Sequence, residues 1–203
     1  KIYQNIYLDN REGIGFGNKM SQILESWQHK IVEKRAKFKF PINTLEIGPG
    51  NFNHLKYLSA NENYEAVEPN SWFYKSKNLK KDLIIYNDLK DIPKKKLFHR
   101  IFSINVLEHI EDLPDMILKS YKLLNKGGLF QAAIPCEGEF SWYLGWRFGT
   151  GIPFYLKYKK DWGKMIKHEH VNTLEEIKHI IDYYFGNIKV FRSPFPFFTK
   201  TKH

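Results

Sequence analysis

Thr44-Leu-Glu-Ile-Gly-Pro-Gly-Asn-Phe-Asn-His-Leu55 compresses a strand, a turn and the start of a helix into a dozen residues. The apolar-rich lead-in, residues 41–47, predicts a short buried strand. Gly48-Pro-Gly50 ends it, and Phe52 to Leu58 reads as the first turns of a helix. Such a junction gathers backbone N–H groups and a positive helix end at one point, and glycines let a ligand approach without a Cβ in the way. A dinucleotide-binding fingerprint would put its third glycine at position 53, where Asn53 stands. The turn carries a carboxylate instead, Glu46, two residues before the first glycine. A carboxylate repels phosphate, so the turn suits an amino group as much as an anion.

Glu46-Ile-Gly48-Pro-Gly50 resembles the cofactor loop of class I S-adenosylmethionine (SAM)-dependent methyltransferases, written acid-x-Gly-x-Gly-x-Gly. The resemblance implies that this loop lies under the methionine part of SAM and that Glu46 helps to hold its ammonium. Phe52 stands where the last glycine of the pattern would be.

Outward from the turn, helix and strand signals alternate. Upstream, Met20, Ile23, Leu24, Trp27, Ile31 and Val32 recur at three- and four-residue steps, predicting an amphipathic helix from Asn18 to about Phe38. Downstream, strands are expected at Tyr64–Val67, Leu83–Tyr86, His99–Ile104, Leu129–Ile134 and Asn187–Arg192. Helices are expected at Ser71–Leu79, at Asp112–Leu124 and from a Thr173 cap to about Phe185, with Asn125-Lys-Gly127-Gly128 stopping the second. This alternation implies an α/β fold: a doubly wound, mostly parallel, Rossmann-like sheet with helices on both faces. Ser193 to Phe198 is a poor candidate for a seventh strand because of its prolines.

Ligands of such sheets sit at the carboxyl ends of the strands, beside the topological switch point. The first strand end carries Glu46, Gly48 and Gly50; the second carries Glu68 and Pro69, with Glu68 22 positions after Glu46. A carboxylate at that distance suits the two hydroxyls of a ribose. The third carries Asp88 and Leu89, for which the resemblance implies contacts to the adenine amino group and a ring nitrogen. The fourth carries Asn105-Val-Leu107-Glu-His109, which resembles the segment lining the methionine side of the cofactor. An NAD enzyme would share Glu68 but needs neither Glu46 nor Asp88. The Gly-Lys-Ser/Thr of a P-loop is absent.

Residues 135–172 are too many for a plain connection and read as a helical lid after strand five. Glu137, Trp142, Tyr143, Trp146 and Arg147 are the expected acceptor contacts. Aromatic faces stack on sugar rings, and arginine holds phosphate. Pro135-Cys-Glu-Gly138, Trp142, Arg147 and His168-Glu-His170-Val-Asn172 resemble a methyltransferase subgroup associated with bacterial surface-polysaccharide synthesis. The resemblance therefore implies SAM as cofactor, S-adenosylhomocysteine (SAH) as product, and a sugar hydroxyl, on a nucleotide-activated sugar or glycan, as acceptor. A neutral histidine suits removal of the hydroxyl proton near pH 7, and His109, His168 and His170 are the candidates. No metal site is expected, because His168-Glu-His170 lacks partners at set spacing.

The 203 residues suit one domain: an N-terminal segment and helix (1–40), a cofactor-binding core (41–134), the lid (135–172) and a closing helix and strand (173–203). Hydrophobic residues at 42% and charged residues at 27% are ordinary for a globular protein. No apolar run approaches the roughly 18 residues of a membrane span. A lone cysteine, Cys136, leaves no internal disulfide and favours a reducing cytoplasm. The net charge of +10 raises RNA or protein methylation as a rival, but the lysines are spread along the whole chain, and nucleic acid is not the expected partner. A binding protein that keeps the fold without catalysis is the third reading.

Overall fold

The computed structural model describes residues 16–36, 38–75, 77–135 and 170–191. Five strands form one sheet: β1 (Ile42–Ile47), β2 (Glu62–Val67), β3 (Ile84–Tyr86), β4 (Phe98–Ile104) and β5 (Leu124–Ala133), in the order β3-β2-β1-β4-β5. Every pair is parallel. The chain winds outward from β1 to β3, then returns to the other side of β1 for β4 and β5. The switch point therefore lies between β1 and β4, beside the glycine turn.

Helices cover both faces. Helix α1 (Phe16–Lys34) lies on one, meeting Phe102 and Ile104 through Val32. Helices α2 (Leu113–Leu123) and α3 (Leu174–Phe185) cover the other, where Ile117 and Ile177 pack with Leu45 and Ile101. Asp112 caps α2 by accepting from the Asp115 amide. Thr173 and Glu176 form a reciprocal capping box at the start of α3, as the sequence predicts.

Local chemistry moved several expected boundaries. The glycine turn leads into a 3-10 helix, Asn53–Tyr57, rather than an α-helix. Phe52 precedes it in the left-handed conformation (φ 60°), the backbone that the missing glycine would supply. Its ring, 4% exposed, packs edge-on against Tyr64 and Tyr74, and that burial offsets the backbone strain. The helix expected at Ser71–Leu79 is one 3-10 turn, Ser71–Phe73, whose Asn70 supplies no side-chain cap. Strand β5 begins at Leu124, so Gly127-Gly128 sits inside it instead of stopping a helix. A register shift between Phe98 and Arg100 absorbs the pair, and a Cβ on Gly128 would come within 2.9 Å of the Asn125 carbonyl. Residues 187–191 of the expected sixth strand form none, because Gly186 (φ 60°) and Asn187 (φ 46°) turn the chain away and Val190 and Phe191 stay exposed. The lid between 136 and 169 and the residues after 191 lie outside the described residues.

The α1 face of the sheet is polar. Arg100, fully buried on β4, donates to Glu33 of α1 (2.8 Å), to both oxygens of Glu62 (3.0 and 3.2 Å) and to Gln131 (2.9 Å). Thr44 donates to Glu62 at 2.6 Å, and Gln131 donates to the Val32 carbonyl at 3.1 Å. Burial pushes the Glu62 carboxyl up. Burial would raise Glu33 as well, but hydrogen bonds from His54 and Arg100 hold it below the usual range. His54, whose own basicity burial depresses, lies 2.9 Å from His29, so the glycine-turn segment, α1 and the sheet meet in one ionic layer.

Candidate functional site

A cavity of about 520 Å³ opens at the carboxyl ends of β1, β2, β3 and β4. It is lined by Glu46, Gly48 and Gly50 after β1, by Glu68 and Pro69 after β2, and by Asp88 and Leu89 after β3. Asn105, Val106 and His109 close it from β4. Parallel register explains the convergence. Ile47 pairs with Val67, and Val67 pairs with Tyr86, so consecutive strands end at one level.

The acids reach that level in different states. Glu46 is 2% exposed and accepts from the Tyr64 hydroxyl. Desolvation pushes its carboxyl up to about 8, against the Tyr64 hydrogen bond and the Arg100 charge, which lower it, so at neutral pH it is mainly protonated. Glu68 accepts from the amides of Gly50 (3.0 Å) and Asn70 (2.9 Å), tying the glycine turn to the β2 tip. Burial nonetheless raises its carboxyl. Asp88 is more open and caps the turn Leu89–Asp91 by accepting from Lys90 N at 2.9 Å, which lowers its carboxyl. Asn105, in a left-handed conformation (φ 54°), exchanges hydrogen bonds with the Gln28 side chain of α1.

Gly48 has no room for a side chain. Its φ is +69°, and a Cβ would stand 2.6 Å and 2.8 Å from the two methyls of Val106. Gly48→Ala should displace Val106 into the cavity and cost about 1–3 kcal/mol from overpacking, before any penalty for positive φ. The check is a thermal melt with and without SAH: the variant should melt several degrees lower, and SAH should raise its midpoint less than it raises that of the native chain.

Two expectations at the site shift. Leu107 was expected on the cavity; it is 1% exposed and belongs to the core with Leu113 and Ile117, because the 3-10 turn Leu107–His109 points it inward. His170 is not on the cavity wall itself; its ring lies 4.5 Å from that of His109, nearly perpendicular at 82°. His168, Glu137, Trp142, Tyr143, Trp146 and Arg147 lie outside the described residues. The sequence reading missed Glu25 and His29, which α1 brings to the cavity, and Trp72 and Phe73, whose rings stack at 3.8 Å on its wall. The aromatic pair was findable, since it follows the Glu68-Pro69-Asn70 strand end. Glu25 and His29 were not, because helical periodicity does not say which end of a sheet a helix crosses.

The groups present fit SAM: two buried acids, a glycine turn with no space for a Cβ, and a third acid at the next strand end. Residues 19–180, well over half of the chain, match a family described as a methyltransferase domain. No curated protein matches the sequence. Among solved structures, the N-methyltransferase NodS from Bradyrhizobium japonicum is similar with a TM-score of 0.52 and 16% identity, over 78% of this chain and 81% of NodS. A protein assigned as a sarcosine dimethylglycine methyltransferase, from Galdieria sulphuraria, gives 0.53 and 12% over 80% of this chain and 61% of its own. A Haemonchus contortus N-methyltransferase, in complex with phosphomonomethylethanolamine and SAH, gives 0.52 and 14% over 79% and 37%. The chain thus spans less than two thirds of the last two. A family match running from α1 into α3, over a sheet wound as in these enzymes, makes the chain a member of the class I SAM-dependent methyltransferases, with SAM as its cofactor.

Proposed function

We propose that this domain transfers a methyl group from SAM to a small acceptor at the β4 side of the cavity. The observation that carries the reading is the meeting of Glu46, Glu68 and Asp88 with the glycine turn around one cavity. Glu46 takes the ammonium, Glu68 the ribose hydroxyls, and Asp88 with the Leu89 amide the adenine edge; Pro69 and Asn105 complete the walls. Bound SAM supplies an electrophilic methyl carbon, so the protein has only to align the acceptor, exclude water and manage a proton. His109 is on the wall, with His170 beside it, and one of these or His168 takes the proton of a hydroxyl acceptor.

The acceptor we favour is a sugar hydroxyl, free or in a nucleotide-activated polysaccharide precursor, met in the cytoplasm by Glu137, Trp142, Tyr143, Trp146 and Arg147. An amine is the second reading, since two structures sharing the fold bear the name N-methyltransferase. Calorimetry with SAH, then mass spectrometry of a panel of nucleotide sugars and amines incubated with SAM, tests both steps. Absence of SAH affinity overturns the whole reading. Methylation of amines alone overturns the sugar. Tight, steeply salt-dependent RNA binding would move the acceptor to nucleic acid.

The role of Glu46 makes a separate prediction. In the empty protein its folded pKa of about 8 exceeds the usual 4.5. Its contribution to stability is therefore full below about pH 4.5 and is lost as pH rises to about 8. An ammonium favours the ionised carboxylate, so binding at pH 7 should release close to one proton. Calorimetry in buffers of different ionisation enthalpy reads that proton, and Glu46→Gln should abolish the release. Equal release in both proteins would remove Glu46 from the ammonium site.

A further inference from the structure

We propose that Glu108, His109 and His170 form a site for one divalent transition-metal ion at the acceptor end of the cavity. A ligating atom from each lies within 4.8 Å of those of the other two. The sequence pairs His170 with His168, two residues away; the fold sets it against His109, 61 positions away, where no short spacing could reveal a ligand set.

The arrangement is held by the backbone. Val171 N and Asn172 N both donate to the Glu108 carbonyl, at 2.9 and 3.1 Å. The Asn172 side chain donates to the carbonyls of Leu107 (3.0 Å) and Ile110 (2.6 Å), on either side of the ligand pair. Four hydrogen bonds thus clamp the segment that carries His170 onto the turn that carries Glu108 and His109. The two rings stand edge to face, and a nitrogen of each lies within the 4.8 Å cluster of donor atoms. Glu108 is 3% exposed, and a buried carboxylate beside two imidazoles is a setting in which a cation is favourable.

The donor set selects the ion. Two imidazole nitrogens and one carboxylate oxygen suit zinc, iron(II) or manganese(II), whereas magnesium and calcium prefer oxygen alone. An ion about 2.1 Å from each donor would draw the donors to roughly 3.4 Å apart, a closure of about 1.4 Å or less per pair that small rotations of all three side chains would supply. Three protein ligands leave at least one position open, and His109 turns that position toward the cavity. If the acceptor is a hydroxyl, which rests on the reading above, the ion would hold its oxygen and lower its pKa, its proton passing to water. The histidines would then be ligands, and no imidazole base is needed.

The test is direct binding. Chain dialysed against chelator is titrated with zinc chloride by calorimetry, and with manganese chloride by electron paramagnetic resonance. The expected result is one ion per chain, weakened at least 100-fold in Glu108→Gln and in His170→Asn, with SAH affinity kept within about threefold in both. Circular dichroism melts establish that each variant folds, and His109→Asn serves as a third variant should either melt early. Fewer than about 0.2 ions per chain, or binding undiminished in all folded variants, overturns the site. SAH affinity is read in the same samples, so failure of the methyltransferase reading and failure of the metal site show as separate losses.

Discussion

Arg100→Met will lower the stability of this domain by about 3–5 kcal/mol, because it leaves Glu33 and Glu62 facing each other without their shared cation. For a domain of this size that is a fall of about 6–20 °C in melting midpoint. The cause can be separated from simple loss of packing. Without the guanidinium, both carboxyls should titrate above their unfolded values, so the deficit should shrink as pH falls from 7 toward 5 and reopen as pH rises. Adding Glu33→Gln and Glu62→Gln to Arg100→Met should recover part of the loss at pH 7. A deficit that is flat with pH and unaffected by the two glutamines would mean that Arg100 acts as a spacer rather than a charge.

Glu68→Ala carries the second large effect. Glu68 is the acceptor for the Gly50 and Asn70 amides and, among the described residues, the only strand-tip acid tied to the glycine turn by its side chain. Its loss removes the carboxylate proposed to meet the ribose and frees the turn that shapes the other half of the cavity. Two hydrogen bonds from ribose hydroxyls to a charged carboxylate would amount to roughly 3–5 kcal/mol, or about 10² to nearly 10⁴ in SAH affinity. Glu68→Gln keeps one acceptor oxygen and should lose about tenfold. Calorimetry at constant pH reads both, and unchanged SAH affinity in the alanine variant would take Glu68 out of the site.

The alternation of elements and the strand-tip acids could be read from the chain because both are local. A buried parallel strand announces itself by a short apolar run, and the residue after the run is necessarily at the strand end. What could not be read depends on partners distant in sequence. Leu107 looked like a wall residue by position, yet a single 3-10 turn aimed it into the core. Arg100 looked like one more basic residue in a lysine-rich chain until Glu33, Glu62 and Gln131 closed around it. Phe52 looked like a broken glycine pattern, whereas its backbone keeps the left-handed turn and its ring is spent on the core. The helix expected from Ser71 starts there but shrinks to one 3-10 turn after an Asn70 that gives no side-chain cap, whereas the helix capped by Thr173 runs to Phe185 as expected.

The ionic layer has a bearing on how the cavity opens. Arg100, Glu62 and Gln131 all belong to the sheet, so when α1 swings outward the charges left behind still balance, and Glu33 departs into water. That excursion also takes Val32 away from Phe102 and Ile104. Detaching α1 along that seam would remove the wall that bears Glu25 and His29 and leave the strands intact, giving the cavity an entrance that requires no unfolding of the sheet.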